Sequence, residues 1–282
     1  MSTLLALVDG SIYSRSVCEH AVWIARRTGY AVDLLHVLPH RRAEGNQGNL
    51  SGNIGLGGKS SLLRELTALD GEMAKLQQKR GRAILDDARQ ILSDAAVDEI
   101  TTRLRFGDIV ETVAHDEAGA DMVLIGKRGE DADFASTHLG SNLERIVRAC
   151  HKPVLVAARA FQPVNRAIVA FDGGASVAKA IAYMGDSPLF EGVACRLLCV
   201  GDPSAAARQE LDSAAERLQG AGRDVTTEIR AGEPEQVIAE AVDTSGANLL
   251  VMGAYGHSRI RTLIIGSTTT TMMRLCKVPV ML

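Results

Sequence analysis

The sequence predicts an α/β protein made of two tandem copies of one parallel-sheet unit. Three observations carry this. Short apolar runs alternate with amphipathic segments, four blocks of sequence recur in the same order, and each copy opens on an apolar run ending in Asp. Runs apolar at every residue, such as Met122–Ile125 and Leu249–Met252, suit strands covered by helices on both faces. Their alternation with helix-period segments indicates βαβ units. In the first copy strands fall near residues 3–8, 31–37, 101–105, 121–125 and 153–157; in the second, near 166–171, 194–200, 226–230, 248–252 and 278–282.

The duplication is visible block by block. LLALVDGS at the start has the form of RAIVAFDGG at 166, and LLHVL at 34–38 that of LLCVG at 197–201. TTRLRFGDIVETVAHDEAGADMVLIGKRG at 101–129 matches TTEIRAGEPEQVIAEAVDTSGANLLVMGAYG at 226–256, and GSNLERIVRACHKPVLVA at 140–157 matches GSTTTTMMRLCKVPVML at 266–282. The units therefore span 1–157 and 163–282, with a linker over Ala158–Val164 that contains Pro163.

One segment breaks the symmetry. Val37 to Thr101 covers 64 positions, whereas Val200 to Thr226 covers 26. The surplus, an insertion at about 39–95, begins with HRRAEGNQGNLSGNIGLGGKSS, a loop by its Gly, Asn and Ser content. A long helical pattern follows, with Gly71 and Gly81 as weak points. It is either a tolerated surface insertion or a flap or partner-binding arm beside the first-copy site.

Composition narrows the function classes. With 46% hydrophobic residues, 23% charged residues and a net charge of −3, the chain has no basic excess of the kind nucleic-acid binding requires. No apolar run is long enough to span a bilayer, and the N-terminus has no basic signal region. Five cysteines, an odd number without a regular framework, fit free thiols in a reducing compartment and hence a cytoplasmic address. Cys195 and Cys199 share strand spacing and are expected to be small buried apolar groups rather than metal ligands.

The ligand is expected beyond the carboxyl ends of the strands, where strand order reverses. Asp9 and Asp172 close the first strands of the two copies, and Gly126 and Gly253 close the fourth. An Asp there can accept from a ribose hydroxyl or an adenine amino group. Glycines allow close backbone approach to phosphate. Gly266-Ser267, entering a helix, offers N–H groups and a hydroxyl at the positive end of the helix dipole, and Thr268 adds a donor. His257, Arg259 and Arg261 give the second-copy loop a charge that suits an anion. In the first copy Gly126, Gly129, Gly140 and Ser141 persist, but the gap between the last two glycines is ten residues rather than nine, and Glu130, Asp131 and Asp133 replace the basic residues. Lys127 and Arg128 offset that charge in part. Like charges oppose binding of an anion, which ranks the second copy first.

A strand-end Asp, G-x2-G-x9-G-[ST] before a helix and a terminal P-V-[LM]-[VL] strand resemble the universal stress protein family, and the resemblance covers both halves. It implies Rossmann-like units of strand order 3-2-1-4-5 that pair as a pseudo-dimer through their last strands, here Val154–Val156 and Val278–Met281. It implies ATP or a related adenine nucleotide, with or without magnesium, and no structural metal. Its contact positions fall on Asp172, Val200, Gly253, Gly256, Gly266, Ser267 and Thr268, with first-copy equivalents Asp9, Val37, Gly126, Gly129, Gly140 and Ser141. Val200 would meet adenine mainly through its backbone. A further homodimer and protein partners are compatible with this reading.

The sequence lacks the G-x4-G-K-[ST] phosphate loop, the G-x-S-x-G elbow and a His/Glu metal pair, which favours a stress-response or regulatory nucleotide-binding module over a fast enzyme. Slow ATP hydrolysis, or autophosphorylation at Ser267 or a nearby Thr, is the most catalysis it allows. Two alternatives remain open: a nucleotide-dependent enzyme on a related fold, and a nucleotide-free scaffold.

Overall fold

The structure is a computed structural model that describes residues 2–39, 56–129, 142–254 and 265–282. The first half runs β1 (Thr3–Leu7), α1 (Ser14–Thr28), β2 (Ala31–Leu38), α2 (Leu56–Asp94), β3 (Ile100–Phe106), α3 (Ile109–Asp116), β4 (Met122–Gly126), α4 (Leu143–Ala149) and β5 (Val154–Ala157). The second runs β6 (Arg166–Phe171), α5 (Ala175–Asp186), β7 (Ala194–Val200), α6 (Ala205–Gly220), β8 (Val225–Arg230), α7 (Pro234–Ser245), β9 (Leu249–Met252), α8 (Ser267–Leu275) and β10 (Val280–Met281). All ten strands lie where the apolar runs predict them. The last is shorter than the predicted 278–282, because Pro279 has no N–H to give a ladder.

All ten strands form one sheet, ordered β3-β2-β1-β4-β5-β10-β9-β6-β7-β8. Each half is parallel with internal order 3-2-1-4-5, and strand order reverses beside β1 and β6. The halves meet at β5 and β10, which pair antiparallel with Val280 opposite Val156 and Met281 opposite Leu155. The last strands thus join the halves into the intramolecular pair that the resemblance implies.

Alternation along the strands explains the layers. Leu4, Ala6 and Leu34 bury on one face with α1 and α2, while Leu5, Leu7 and Leu35 bury on the other with residues of α3 and α4. Side chains of successive strand residues point to opposite faces, so strands covered on both faces must be apolar throughout. Each of the two clusters contains residues of both halves.

The connection between halves, Ala158 to Asn165, has no regular structure but is pinned. Ser16 Oγ donates to the Ala158 carbonyl at 2.8 Å, and His20 meets Phe161 edge-on at 4.9 Å. Asn248 Oδ1 accepts from the N–H groups of Asn165 and Arg166, both at 3.0 Å, and its amide donates to the Pro163 carbonyl at 2.8 Å.

α2 departs from expectation. It is a single 39-residue helix that begins at Leu56, inside the segment expected as loop; residues 40–55 of that segment lie outside the described residues. Once a helix is nucleated, each added residue gains a hydrogen bond, so Leu56–Ser61 extends the helix despite its glycines. Gly71 and Gly81 do not interrupt it. At Gly81 a Cβ would come within 2.8 Å of Leu104 and 2.9 Å of His36, so glycine there lets α2 lie close against β2 and β3. A Cβ on Gly10 would strike Ile84 of α2, and one on Gly173 would strike Glu210 of α6. Ile84 and Glu210 are therefore equivalent. Ala205, where α6 begins, corresponds to Lys79, and the turns of α2 from Leu56 to Gln78 have no counterpart in the second half.

Candidate functional site

In the second half, β6 and β9 are parallel neighbours with Ala170 opposite Met252. Asp172 and Gly253 therefore leave the sheet side by side, at the strand-order reversal. Asp172 is exposed, and its Oδ1 accepts from the Gly174 N–H at 2.8 Å in the turn that enters α5. Gly253 is held tightly. A Cβ there would lie 3.0 Å from Ser176 Cβ and 3.1 Å from the Val177 nitrogen. Ser176 Oγ accepts from the Ala254 N–H at 3.0 Å, and Thr269 Oγ1 donates to the Gly253 carbonyl at 2.9 Å. These contacts tie the start of the glycine loop to the first turns of α5 and α8.

Gly266 is the residue before α8, and among the described residues no side chain caps the helix, whose first N–H groups have no partner within the helix. Ser267 is exposed and Thr268 half-buried in that first turn, and Val200 is half-buried at the end of β7. The structure thus brings Asp172, Gly253, Gly266, Ser267 and Thr268 to one end of the sheet, beside the end of β7. Gly256, His257, Arg259 and Arg261 lie outside the described residues.

The first half carries a cavity of about 690 Å³ in the equivalent place, within the range of small-molecule sites. Its walls include Asp9, Val37, Gly126 and Gly129, four of the six residues expected there. Gly140 and Ser141 lie outside the described residues, as do Glu130, Asp131 and Asp133. Asp9 Oδ1 accepts from the Ser11 N–H at 2.9 Å and from Ser14 Oγ at 3.1 Å, and a Cβ on Gly129 would come within 3.1 Å of Asp9 Oδ2. Gly10 holds the intervening turn at φ +79°, a conformation glycine adopts without strain.

Several residues that the motif does not contain line this cavity. Tyr13 precedes α1 and Ser14 opens it, and Asp108 caps α3 by accepting from Val110 N–H at 2.8 Å. The Glu111 N–H, with Val110 N–H and Arg145 nearby, holds the Asp108 carboxyl below the ordinary aspartate range. Gln77, Arg80 and Ile84 reach the cavity from α2, so the insertion lies beside the first-copy site. A Ser or Thr a few residues beyond the strand-end Asp was the available signal for Ser14 and Ser176. Nothing in a linear motif signals Gln77 or Arg80.

Lys127 also belongs to the walls of this cavity. It is buried and donates to the backbone carbonyl of Cys276, across the junction between halves. Burial lowers its pKa to about 8. The five cysteines are all free and buried, and burial raises the Cys195 thiol to about 11. Cys195 and Cys199 pack in the same cluster. Among the described residues, no group of His, Cys, Asp and Glu is arranged to hold a metal, and no helix is long and apolar enough to cross a membrane.

The family model described as the universal stress protein family matches residues 1–158 and 200–282 of this chain. The chain belongs to the universal stress protein family. A universal stress protein of Synechocystis sp. is 34% identical over 286 residues, covering 100% of this chain and 99% of the relative. Among solved structures, a universal stress protein from Archaeoglobus fulgidus matches with a TM-score of 0.74 at 19% identity, over 99% of this chain and 97% of that one. A universal stress protein structure from Pseudomonas aeruginosa matches at 0.61 and 14%, over 100% and 92%. At these identities the structural likeness establishes the fold alone.

Proposed function

We propose that this universal stress protein binds an adenine nucleotide, ATP in the second half, and acts as a stress-response or regulatory module through its two units, 1–157 and 163–282. One observation carries the reading: Asp172 and Gly253 leave adjacent parallel strands at the strand-order reversal, with the start of α8 beside them. In an open α/β sheet that position is where ligands bind, and a helix N-terminus favours phosphate. The geometry suits the group. Asp172 would accept from a ribose hydroxyl, Val200 would border the base, and the Gly253–Gly256 loop with Gly266, Ser267 and Thr268 would hold the phosphates. Magnesium would arrive bound to those phosphates, as it commonly does. The bound nucleotide supplies a charged, exchangeable signal, and the chain's own residues orient it.

A second reading of the stoichiometry rests on the first-half cavity. Its volume and its Asp9, Val37, Gly126 and Gly129 walls support a second nucleotide per chain.

The test is mass spectrometry of the nucleotide that co-purifies, followed by calorimetric titration of ATP into wild type, Gly266→Asp and Asp9→Ala. Binding to wild type that Gly266→Asp abolishes or halves supports the reading. Absence of heat with any nucleotide leaves a nucleotide-free scaffold. Steady multiple-turnover hydrolysis lost in Asp172→Ala would instead make the protein an enzyme.

A further inference from the structure

The inserted turns of α2 carry an apolar seam that is exposed in the described residues. Every residue from Glu65 to Leu76 is exposed, although four of them are large and apolar: Leu66 at 48%, Leu69 at 57%, Met73 at 47% and Leu76 at 61%. Their spacing of three, four and three residues is that of the a and d positions of a coiled coil. The seam is not a continuation of the face that docks on the sheet. That face is marked by Gly81, Leu85, Ala88 and Leu92, and at about 100° per residue it lies roughly a third of a turn away from the seam. A helical stretch of this length without tertiary contacts is marginal in water. Covering the seam would stabilise both the stretch and the apolar side chains.

Charge selects the occupant. Glu65, Asp70 and Glu72 precede Lys75, Lys79 and Arg80, so the segment is acidic at its start and basic at its end. A parallel pair of identical segments would set Glu65 against Asp70. An antiparallel pair sets Leu66 against Leu76 and Leu69 against Met73 of the second copy, and brings Glu65 beside Lys79 at both ends of the seam, which offsets the like charges where Asp70 and Glu72 meet their own counterparts at its centre. Antiparallel pairing also keeps the two sheet bodies apart, since each is attached beyond the basic end of its own segment. We propose that residues 65–79 of α2 form an antiparallel two-stranded coiled coil with the same residues of a second copy of this chain. The sheet junction at β5 and β10 is already satisfied within one chain, so this seam gives the protein a dimer contact of its own.

Sedimentation equilibrium of the full chain tests this. Wild type should be a dimer at micromolar concentration, and Leu66→Glu with Met73→Glu should weaken it at least a hundredfold while leaving the thermal midpoint of the sheet body in place, because both side chains are exposed and outside the two core clusters. Glu65→Lys and Lys79→Glu should each weaken the dimer, and the double exchange should restore it. A monomeric wild type overturns the proposal, whether the seam is found bare, folded onto its own body or covered by a different protein. A dimer that survives Leu66→Glu with Met73→Glu overturns it as well, since the contact then lies elsewhere. A dimer weakened further by the double exchange overturns the antiparallel arrangement.

Discussion

Lys127, at the end of the fourth strand of the first half, donates its ammonium to the Cys276 carbonyl, the residue that closes α8 in the second half. The pair spans the junction made by β5 and β10. A cation at a helix C-terminus is favourable, but burial of this one lowers its pKa from 10.5 to about 8. Below about pH 8 the lysine is charged in both folded and unfolded chains, and the folded state carries the full cost of burying that charge. Between pH 8 and 10.5 the unfolded chain binds more protons, so this group makes stability rise with pH. Urea unfolding of wild type and Lys127→Met at pH 7.5 and 10 should show wild type gaining on the order of 1–3 kcal/mol relative to the variant. A constant difference across that range would mean that the ammonium is not buried at the junction.

Lys127 also shows where the linear sequence stops being informative. The strands were legible because a parallel sheet covered on both faces demands uninterrupted apolar runs, and Met122–Ile125 and Leu249–Met252 supply them. The placement of Asp172 beside Gly253 followed from strand order alone. The partner of Lys127 was not legible, because Cys276 is brought near only by the antiparallel pairing of the last strands. The walls that α2 gives to the first cavity were hidden for a similar reason: Gln77 and Arg80 are set by the docking of a helix, which Gly81 permits. The start of α2 was misread as loop because Gly57 and Gly58 signal a turn, whereas helix propagation decides their state.

His20 predicts an acid response. Its Nδ1 lies 2.7 Å from the Ser16 carbonyl, and its Nε2 has no hydrogen-bond partner among the described residues. Burial lowers its pKa below 6.5, with the Ser16 carbonyl and Glu19 acting in the opposite sense. Above pH 6.5 it is neutral in both states and without effect. As pH falls through 6.5 the unfolded chain takes up a proton that the folded chain resists, so stability falls by up to about 1.4 kcal/mol per unit. Thermal unfolding between pH 7 and 5 should show this slope, and His20→Phe should flatten it. The lesion should be felt first at the Ala158–Asn165 connection, because His20 packs on Phe161 and Ser16 holds Ala158.

The buried thiols predict an alkaline response of opposite sign to that of Lys127. Burial raises Cys18 to about 12 and Cys195 to about 11, from 9.0. Above pH 9 the unfolded chain ionises these thiols and the folded chain does not, so stability falls as pH rises. Cys18→Ala with Cys195→Ala should reduce the slope of the urea midpoint between pH 9 and 10.5, while lowering the midpoint at pH 7 through lost packing. An unchanged slope would place both thiols in contact with water.

Gly253→Ala should damage the second-half crevice more than its size suggests. The added methyl would lie 3.0 Å from Ser176 Cβ and 3.1 Å from the Val177 nitrogen, so the start of α5 must move. Overpacking of this kind costs about 1–3 kcal/mol, and the shift would loosen the Ala254 to Ser176 hydrogen bond. Unfolding should show that loss, and titration should show at least tenfold weaker binding of ATP at the second-half site. Full affinity in a destabilised Gly253→Ala would separate the packing role of this glycine from ligand binding.

Arg80 tests whether the first cavity takes a nucleotide. It lines the cavity from α2, and its second-half counterpart, one residue into α6, is Ala206. The first-half loop carries Glu130, Asp131 and Asp133 where the second carries His257, Arg259 and Arg261. A guanidinium supplied from α2 would restore the charge that the loop lost, and its planar fork suits phosphate oxygens. In a chain whose second site is disabled by Gly266→Asp, Arg80→Ala should weaken residual ATP binding by about ten- to a hundredfold, since a charged hydrogen bond contributes roughly 1.5–3 kcal/mol. Arg80→Lys should recover only part of it, because lysine keeps the charge but not the fork. Equal affinity in all three chains would remove Arg80 from the site. Complete loss of binding in Gly266→Asp alone would show that the cavity does not hold ATP, leaving its α2 wall a structural feature of the insertion.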